Sequence, residues 1–368
     1  MKVLAIVPSI YDTSPGQRYR IEQWEPLLRE QGVEITYSPF ETAELQQILH
    51  QNGNTTQKIR AVVQNMNRRL KETKSLKDYD LVYVFREAAL LGPPWSERRI
   101  ARSGIPMVFD FDDAVFVAYR SPSNGYLSYL KFPNKTGEIC RLSAHVMAGN
   151  QYLADYAGQF NDNVTIIPTT IDTEKYQMAE QRTSEPETLT IGWSGSFSTA
   201  QHLATLSDVL QELAKEEKFR LRVIGAPKFE LAGVDVEVVK WRSETEVEDL
   251  SPIDIGVMPL PDDQWSKGKC GLKALQYMAL GIPTVCSPVG VNSTIIQDGE
   301  NGLLADGKDE WIKKLKMLLH SAQLRRALGA AGLETVENGY SAKSQAPRVL
   351  EVFQSVVKER ASANQVGA

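Results

Sequence analysis

The chain has 368 residues, with 41 Lys/Arg against 46 Asp/Glu, a formal net charge of −5 and 42% hydrophobic content. That length exceeds what one hydrophobic core usually serves, so two domains are expected, and the near-balanced charge excludes a nucleic-acid-binding polycation. Three cysteines, Cys140, Cys270 and Cys286, are too few and too scattered for a disulfide framework or a CxxC metal site, which fits a reducing cytoplasm.

The first eight residues carry one charge on an apolar run too short for a signal peptide, and residues 3–8 read as a buried strand. No run reaches the ~18 apolar residues of a membrane span. The loop that follows contains Gly16, Arg18 and Arg20. A glycine followed by two arginines on one side of a turn suits a diphosphate or an anionic acceptor; otherwise the arginines decorate the start of a helix. A helix is expected over 21–31 and a strand over 34–38.

Residues 58–77 hold seven Lys/Arg against the single acid Glu72, with Ile59, Val62, Val63, Met66 and Leu70 at helical spacing. This is a basic amphipathic helix: either a solvated charged face over an apolar stripe, or a contact for anionic lipid head groups or a lipid-diphosphate acceptor. Strands follow at 81–85 and 106–111, with a helix over 94–103 between them. Arg86 and Glu87 end the first of these strands, either paired with each other or reaching a ligand. Asp110, Asp112 and Asp113 end the second, and carboxylates clustered at a strand end imply a cation, hydrogen-bond donors or substrate. The pattern also fits a magnesium-dependent phosphohydrolase using Asp110 and Asp112. Strands at 145–148 and 164–168 complete the first half. His145 reads as a hydrogen-bonded core histidine, and the four histidines show no metal spacing.

Residues 170–187 are polar and poor in apolar side chains, a linker composition. The pattern then restarts: strands at 189–193, 220–224, 235–239, 254–259, 284–287 and 302–305, with helices over 201–215, 271–280 and 310–318. Strands alternating with helices imply parallel sheets covered on both faces, and two such sets imply two doubly wound α/β domains with ligands at the carboxyl ends of their strands. The expected division is 1–172, 186–343, and a last segment, 344–368, whose helix returns to the first domain. The acidic excess lies after residue 170, where 22 Lys/Arg meet 28 Asp/Glu.

The strongest chemical signal is Gly268-Lys269-Cys270-Gly271-Leu272-Lys273, at the start of a helix that Gly281-Ile282-Pro283 stops. Lys269, Lys273 and Gln276 share one face, and free N–H groups with the positive dipole end favour a phosphate there. The spacing does not match a Walker loop, and two solvated lysines beside an ordinary helix is the alternative. Ser194, Gly195 and Ser196 directly follow a strand and form a second small-residue turn expected to present backbone N–H groups.

This segment, with Val285-Cys-Ser-Pro-Val-Gly-Val-Asn292 and Asp298-Gly-Glu-Asn-Gly-Leu-Leu304 behind it, resembles the donor-binding region of GT-B-fold, family-4-type glycosyltransferases. The likeness also takes in Ile191-Gly-Trp-Ser-Gly-Ser196, Val223-Ile-Gly225 and Asp254-Ile-Gly-Val-Met-Pro-Leu260. The resemblance implies two Rossmann-like domains facing across a cleft, and transfer of a sugar from a nucleotide diphosphate sugar, a UDP-sugar first, to a hydroxyl of a polysaccharide or lipid-linked glycan, with retention. It implies no metal or other cofactor, since helix dipoles and basic residues neutralise the leaving diphosphate. The family's two motif acids fall here at Gly268 and Gln276; the glutamine keeps an amide oxygen for the ribose hydroxyls, and the glycine offers the donor sugar nothing. Carried over, Ser194, Gly195, Ser196, Lys269, Gly271, Leu272 and Lys273 hold the diphosphate, while Gln276, Gly225, Trp241 and Arg242 surround ribose and base. Arg86, Asp110, Asp112 and Asp113 are the catalytic candidates, and Gly16, Arg18 and Arg20 the acceptor or phosphate contacts. The expected location is the cytoplasm, with peripheral membrane contact through 58–77. A nucleotide-sugar-binding protein without catalysis is the remaining alternative.

Overall fold

The computed structural model describes residues 1–49, 55–117, 132–177, 186–196 and 199–366. The chain forms two compact units, Met1–Pro168 with Gln345–Ala368, and Thr169–Ser344. The linker expected over 170–187 lies partly outside the described residues.

In the first unit, six strands form one parallel sheet: β1 (Lys2–Val7), β2 (Glu34–Pro39), β3 (Leu81–Phe85), β4 (Met107–Phe111), β5 (His145–Ala148) and β6 (Val164–Ile166). Their order is β2-β1-β3-β4-β5-β6. β3 and β4 are uninterrupted apolar or aromatic runs apart from Asp110, and all ten of their residues are buried. That is the signature of a parallel sheet covered on both sides. Strand order reverses between β1 and β3, so the turns after those two strands open a crevice where doubly wound sheets bind ligands. Residues of the Ala342–Val366 helix return to this unit: the Phe353 ring packs edge-on to Tyr83 at 6.1 Å, and Arg348 Nη2 donates to the Ile166 carbonyl at 2.9 Å.

The second unit repeats the plan with β7 (Leu189–Ser194), β8 (Phe219–Ile224), β9 (Asp235–Val239), β10 (Ile255–Met258), β11 (Thr284–Cys286) and β12 (Leu303–Leu304), in the order β12-β11-β10-β7-β8-β9. All pairings are again parallel. The switch point falls between β7 and β10. Apolar residues of these strands, among them Ile191, Trp193, Leu221, Val223 and Val257, form one core with Leu206, Leu210 and Leu213 from the helical layer.

Three expectations change. The helix expected over 201–215 is two, Ala200–Ala204 and Ser207–Leu213, because Thr205 Oγ1 bonds back to the His202 carbonyl at 2.6 Å and tightens the chain there. The helix expected from residue 21 is preceded by Pro15–Gln17 and a wide turn over Arg18–Glu22, in which Arg20 leaves helical geometry (φ −129°, ψ −114°). The basic helix, Thr55–Glu72, buries only part of the stripe its spacing suggests, with Val62 and Met66 packed toward Phe40 and Leu45. Val62 is buried beside Asn65 and Arg69, while Ile59 and Val63 face outward, 54% and 49% exposed. Arg69 turns inward to the Ala88 and Ser38 carbonyls, at 3.0 and 2.7 Å, and to Glu72 at 3.0 Å. Hydrogen bonding satisfies the charge, so an arginine occupies a place where periodicity alone expects an apolar residue. Among the described residues, no helix is long and apolar enough to cross a membrane.

Candidate functional site

In the second unit, the chain leaving β10 forms the short Gln264–Lys267 helix, turns through Gly268–Gly271, and enters the Leu272–Ala279 helix. Gly271 adopts φ +73°, and a Cβ on it would sit 2.3 Å from Ile295 Cδ1, so both conformation and space require glycine. No side chain caps the helix that follows, which leaves its first-turn N–H groups and positive dipole end to an anion. Tyr277 anchors the helix from below. Its ring lies against Gly256 of β10, where a Cβ would come within 2.4 Å, and its hydroxyl accepts the Ser194 N–H at 2.8 Å.

Above this anchor sit the two half-buried lysines. Lys269 Nζ lies 4.9 Å from the centre of the Trp265 ring, and Lys273 Nζ lies 5.5 Å from that of Trp193. Each stack contributes about 0.5–1 kcal/mol and holds the ammonium group near the helix start.

The turn after β7 differs from expectation. The Ser194 N–H donates to Tyr277, the Gly195 N–H to the Ile224 carbonyl at 3.0 Å, and the Ser196 N–H to Thr199 Oγ1 at 3.0 Å. All three amides are spent inside the unit, so this turn packs the site rather than presenting an N–H cradle. Gly225 explains why it packs so closely. With φ +86°, its α-carbon stands where a Cβ would lie 1.9 Å from the Gly195 carbonyl oxygen.

Gln276 is buried, and its Nε2 donates to Tyr176 Oη at 2.8 Å and to Glu246 Oε1 at 3.2 Å. Trp241 Nε1 donates to the same Glu246 oxygen at 3.0 Å. Trp241 and Gln276 are therefore brought together by Glu246, an acid on the Glu246–Leu250 helix that the sequence reading passed over. Its only sequence signal was an acid in the first turn of a short helix, which is indistinguishable from ordinary dipole compensation. Arg242 is exposed.

In the first unit, the turns after β1, β3 and β4 converge at the switch point. Arg86 Nε meets Asp112 Oδ1 at 2.6 Å and its Nη2 meets Asp113 Oδ2 at 2.7 Å. A Cβ on Gly16 would lie 2.7 Å from Arg86 Nη2 and 3.1 Å from Asp112 Oδ2, so the glycine admits this pair. Arg86 has φ +58°, a left-handed conformation that costs a non-glycine residue about 1–2 kcal/mol and that collects at functional sites. Arg18 Nε pairs with Asp12 Oδ1 at 2.9 Å.

Asp110 and Arg20 do not join them. Both are fully buried; Arg20 holds Asp110 through Nε at 2.7 Å and Nη2 at 2.5 Å, and donates through Nη1 to the Ile167 carbonyl at 2.7 Å. Tyr83 also donates to Asp110. Burial drives the Asp110 carboxyl upward while Arg20 and Tyr83 oppose it. Burial likewise disfavours the charged guanidinium, and Asp110 more than restores it. This is an internal ion pair, and neither member is placed to touch an acceptor or act as a base. The phosphohydrolase alternative loses its footing for the same reason: Asp110 turns to Arg20 and Asp112 to Arg86, so the two carboxylates do not converge on one cation.

Residues 188–321 match the family model of the glycosyl transferases group 1. Among curated relatives, the D-inositol 3-phosphate glycosyltransferase of Stackebrandtia nassauensis is 28% identical over 47% of this chain and 44% of its own length. That of Geodermatophilus obscurus is 20% identical over 62% and 55%. The chain thus spans about half the length of the curated relatives it matches. Among solved structures, sucrose-phosphate synthase from Thermosynechococcus elongatus superposes with a TM-score of 0.70 at 14% identity, covering 98% of this chain and all of that one. Anabaena HepE in complex with UDP-glucose does so with 0.65 at 14%, covering 96% and 100%. These likenesses establish the GT-B fold.

Proposed function

We propose that this chain, whose residues 188–321 match the family model of the glycosyl transferases group 1, moves a sugar from a nucleoside diphosphate sugar, UDP-sugars first, to a hydroxyl of a glycan or lipid-linked glycan, with retention. The observation that carries this reading is the Lys269/Lys273 pair above the uncapped start of the Leu272–Ala279 helix. Two ammonium groups and a helix N-terminus suit the charge that grows on a leaving diphosphate, and preorganised donors of this kind are worth about 3 kcal/mol each in a transition state. The neighbour HepE, solved with UDP-glucose, supports the choice of nucleotide.

Glu246 fits the ribose. It stands 3.2 Å from Gln276 and so restores a carboxylate beside the position where the family's second acid is lost. Glu246→Gln is expected to weaken UDP binding at least about tenfold while leaving inorganic pyrophosphate binding within about twofold, because a charged hydrogen bond is worth about 1.5–3 kcal/mol. Equal losses for both ligands would remove Glu246 from the ribose.

In the first unit, Gly16, Arg18, Arg86, Asp112 and Asp113 are the groups proposed to meet acceptor and reacting sugar. We place the reaction in the cytoplasm at the membrane surface, on the strength of exposed Ile59 and Val63 on a helix that also carries the basic residues Lys58, Arg60 and Lys71. Ile59→Ser/Val63→Ser should then at least halve the fraction that sediments with phosphatidylglycerol vesicles; undiminished sedimentation, or none for the parent protein, rejects that location. Thermal shift against a panel of nucleotide sugars tests the function itself. UDP-sugars are expected to raise the melting temperature most, and a panel without any effect would defeat the reading.

A further inference from the structure

His202, on the Ala200–Ala204 helix, is buried to within 7% of its surface, and its Nδ1 meets no hydrogen-bond partner among the described residues. A buried polar atom left idle costs about 1–3 kcal/mol. The charged groups that face it come from two neighbouring segments: Lys273 on the Leu272–Ala279 helix, Lys269 in the turn before it, and Asp263 at the start of the Gln264–Lys267 helix. Two cations and one acid leave the ring in a positive field. Burial, then Lys273 and Lys269, lower the imidazole to about 4, with Asp263 opposing. The ring is therefore neutral near pH 7, with one nitrogen unused, beside an anion site that carries two ammonium groups.

We infer that His202 is a third basic group of this site, which takes up one proton from solvent when a nucleoside diphosphate sugar binds at Lys269 and Lys273 and gives it back when the diphosphate leaves. The inference rests on the diphosphate reading above. A bound dianion reverses the sign of the field at the ring and turns the penalty on the imidazolium into a gain, while the lysines stay charged throughout. The uptake makes donors of both ring nitrogens, so the buried Nδ1 then carries a proton.

UDP-glucose is the suitable probe, because neither of its phosphates titrates between pH 5 and 8. Return of His202 to an ordinary imidazole value on binding predicts affinity about tenfold higher at pH 5.5 than at pH 8, and uptake of close to one proton per site at pH 5.5. Calorimetry at pH 5.5 in two buffers of different ionisation enthalpy reads the uptake directly. His202→Gln should bind with both effects gone. Should that variant fold poorly, the imidazole resonances of the parent protein give the same answer: one of the four histidines must titrate about two pH units higher with UDP-glucose present. Binding with no proton uptake, uptake that survives His202→Gln, or four histidine titrations indifferent to the ligand each overturn the inference while leaving the diphosphate site intact. Absence of binding at every pH overturns both.

Discussion

Replacing Lys269 and Lys273 together by alanine is expected to weaken UDP-glucose binding by about 10²- to 10⁴-fold, the product of two charge-assisted contacts worth about 1.5–3 kcal/mol each. Stability should hardly move. Each lysine gives up a stack on Trp265 or Trp193, and the unit is relieved of two like charges at a positive helix end. Folding should therefore stay within about 1 kcal/mol of the parent, and the binding loss can be read without an unfolding artefact. Titration calorimetry decides it. The single variants are expected to lose less than half of the combined effect in free energy, since the remaining lysine recentres on the diphosphate. A double variant that binds UDP-glucose like the parent would remove the phosphates from this helix.

Asp110→Asn should destabilise the first unit by about 3–5 kcal/mol, because it leaves the Arg20 guanidinium buried without its counter-charge. The effect belongs to packing rather than to chemistry. Arg20→Leu/Asp110→Leu, which removes both charges, should recover most of the loss, as replacement of buried ion pairs by apolar residues does elsewhere. Urea unfolding followed by tryptophan fluorescence reads the difference, with Trp24, whose ring lies 4.9 Å from the Arg20 guanidinium, as the local reporter. An Asp110→Asn variant with unaltered stability would mean that the pair is not closed as described, and would return Asp110 to the list of groups that can touch substrate.

The contrast between these two clusters shows what could be read from the chain. The inner strands were legible because parallel strands buried on both faces must be nearly continuous apolar runs, and such runs stand out against amphipathic helices, whereas β2, β6 and β9, with no buried residue, were placed by the alternation of strand and helix. Helical spacing placed Lys273 and Gln276 near one another, but Lys269 lies in the turn before the Leu272–Ala279 helix and Gln276 turns inward to Tyr176 and Glu246. The pairing of Arg20 with Asp110 was not, since its partners are 90 residues apart and nothing local tells an inward arginine from a solvated one. The Ser194–Ser196 turn misled for a related reason. Small residues after a strand do expose amides, but here acceptors from Tyr277, Ile224 and Thr199 consume them. Glu246 escaped notice because its role depends on Trp241 and Gln276, and the latter lies 30 residues further along. Sequence period reveals which face a residue occupies; which partner waits there is decided by the sheet order.

The reaction proposed for this chain of GT-B fold is cleavage of the bond between a sugar and a nucleoside diphosphate. Its most direct test is release of the free nucleoside diphosphate from a panel of UDP-, GDP- and ADP-sugars, followed chromatographically with and without glycan acceptors. Slow release from at least one UDP-sugar without acceptor is expected, with faster release in the presence of a suitable acceptor and loss of both in Lys269→Ala/Lys273→Ala. Release of nucleoside diphosphate from none of the donors, or release undiminished in the double variant, would contradict the proposed reaction.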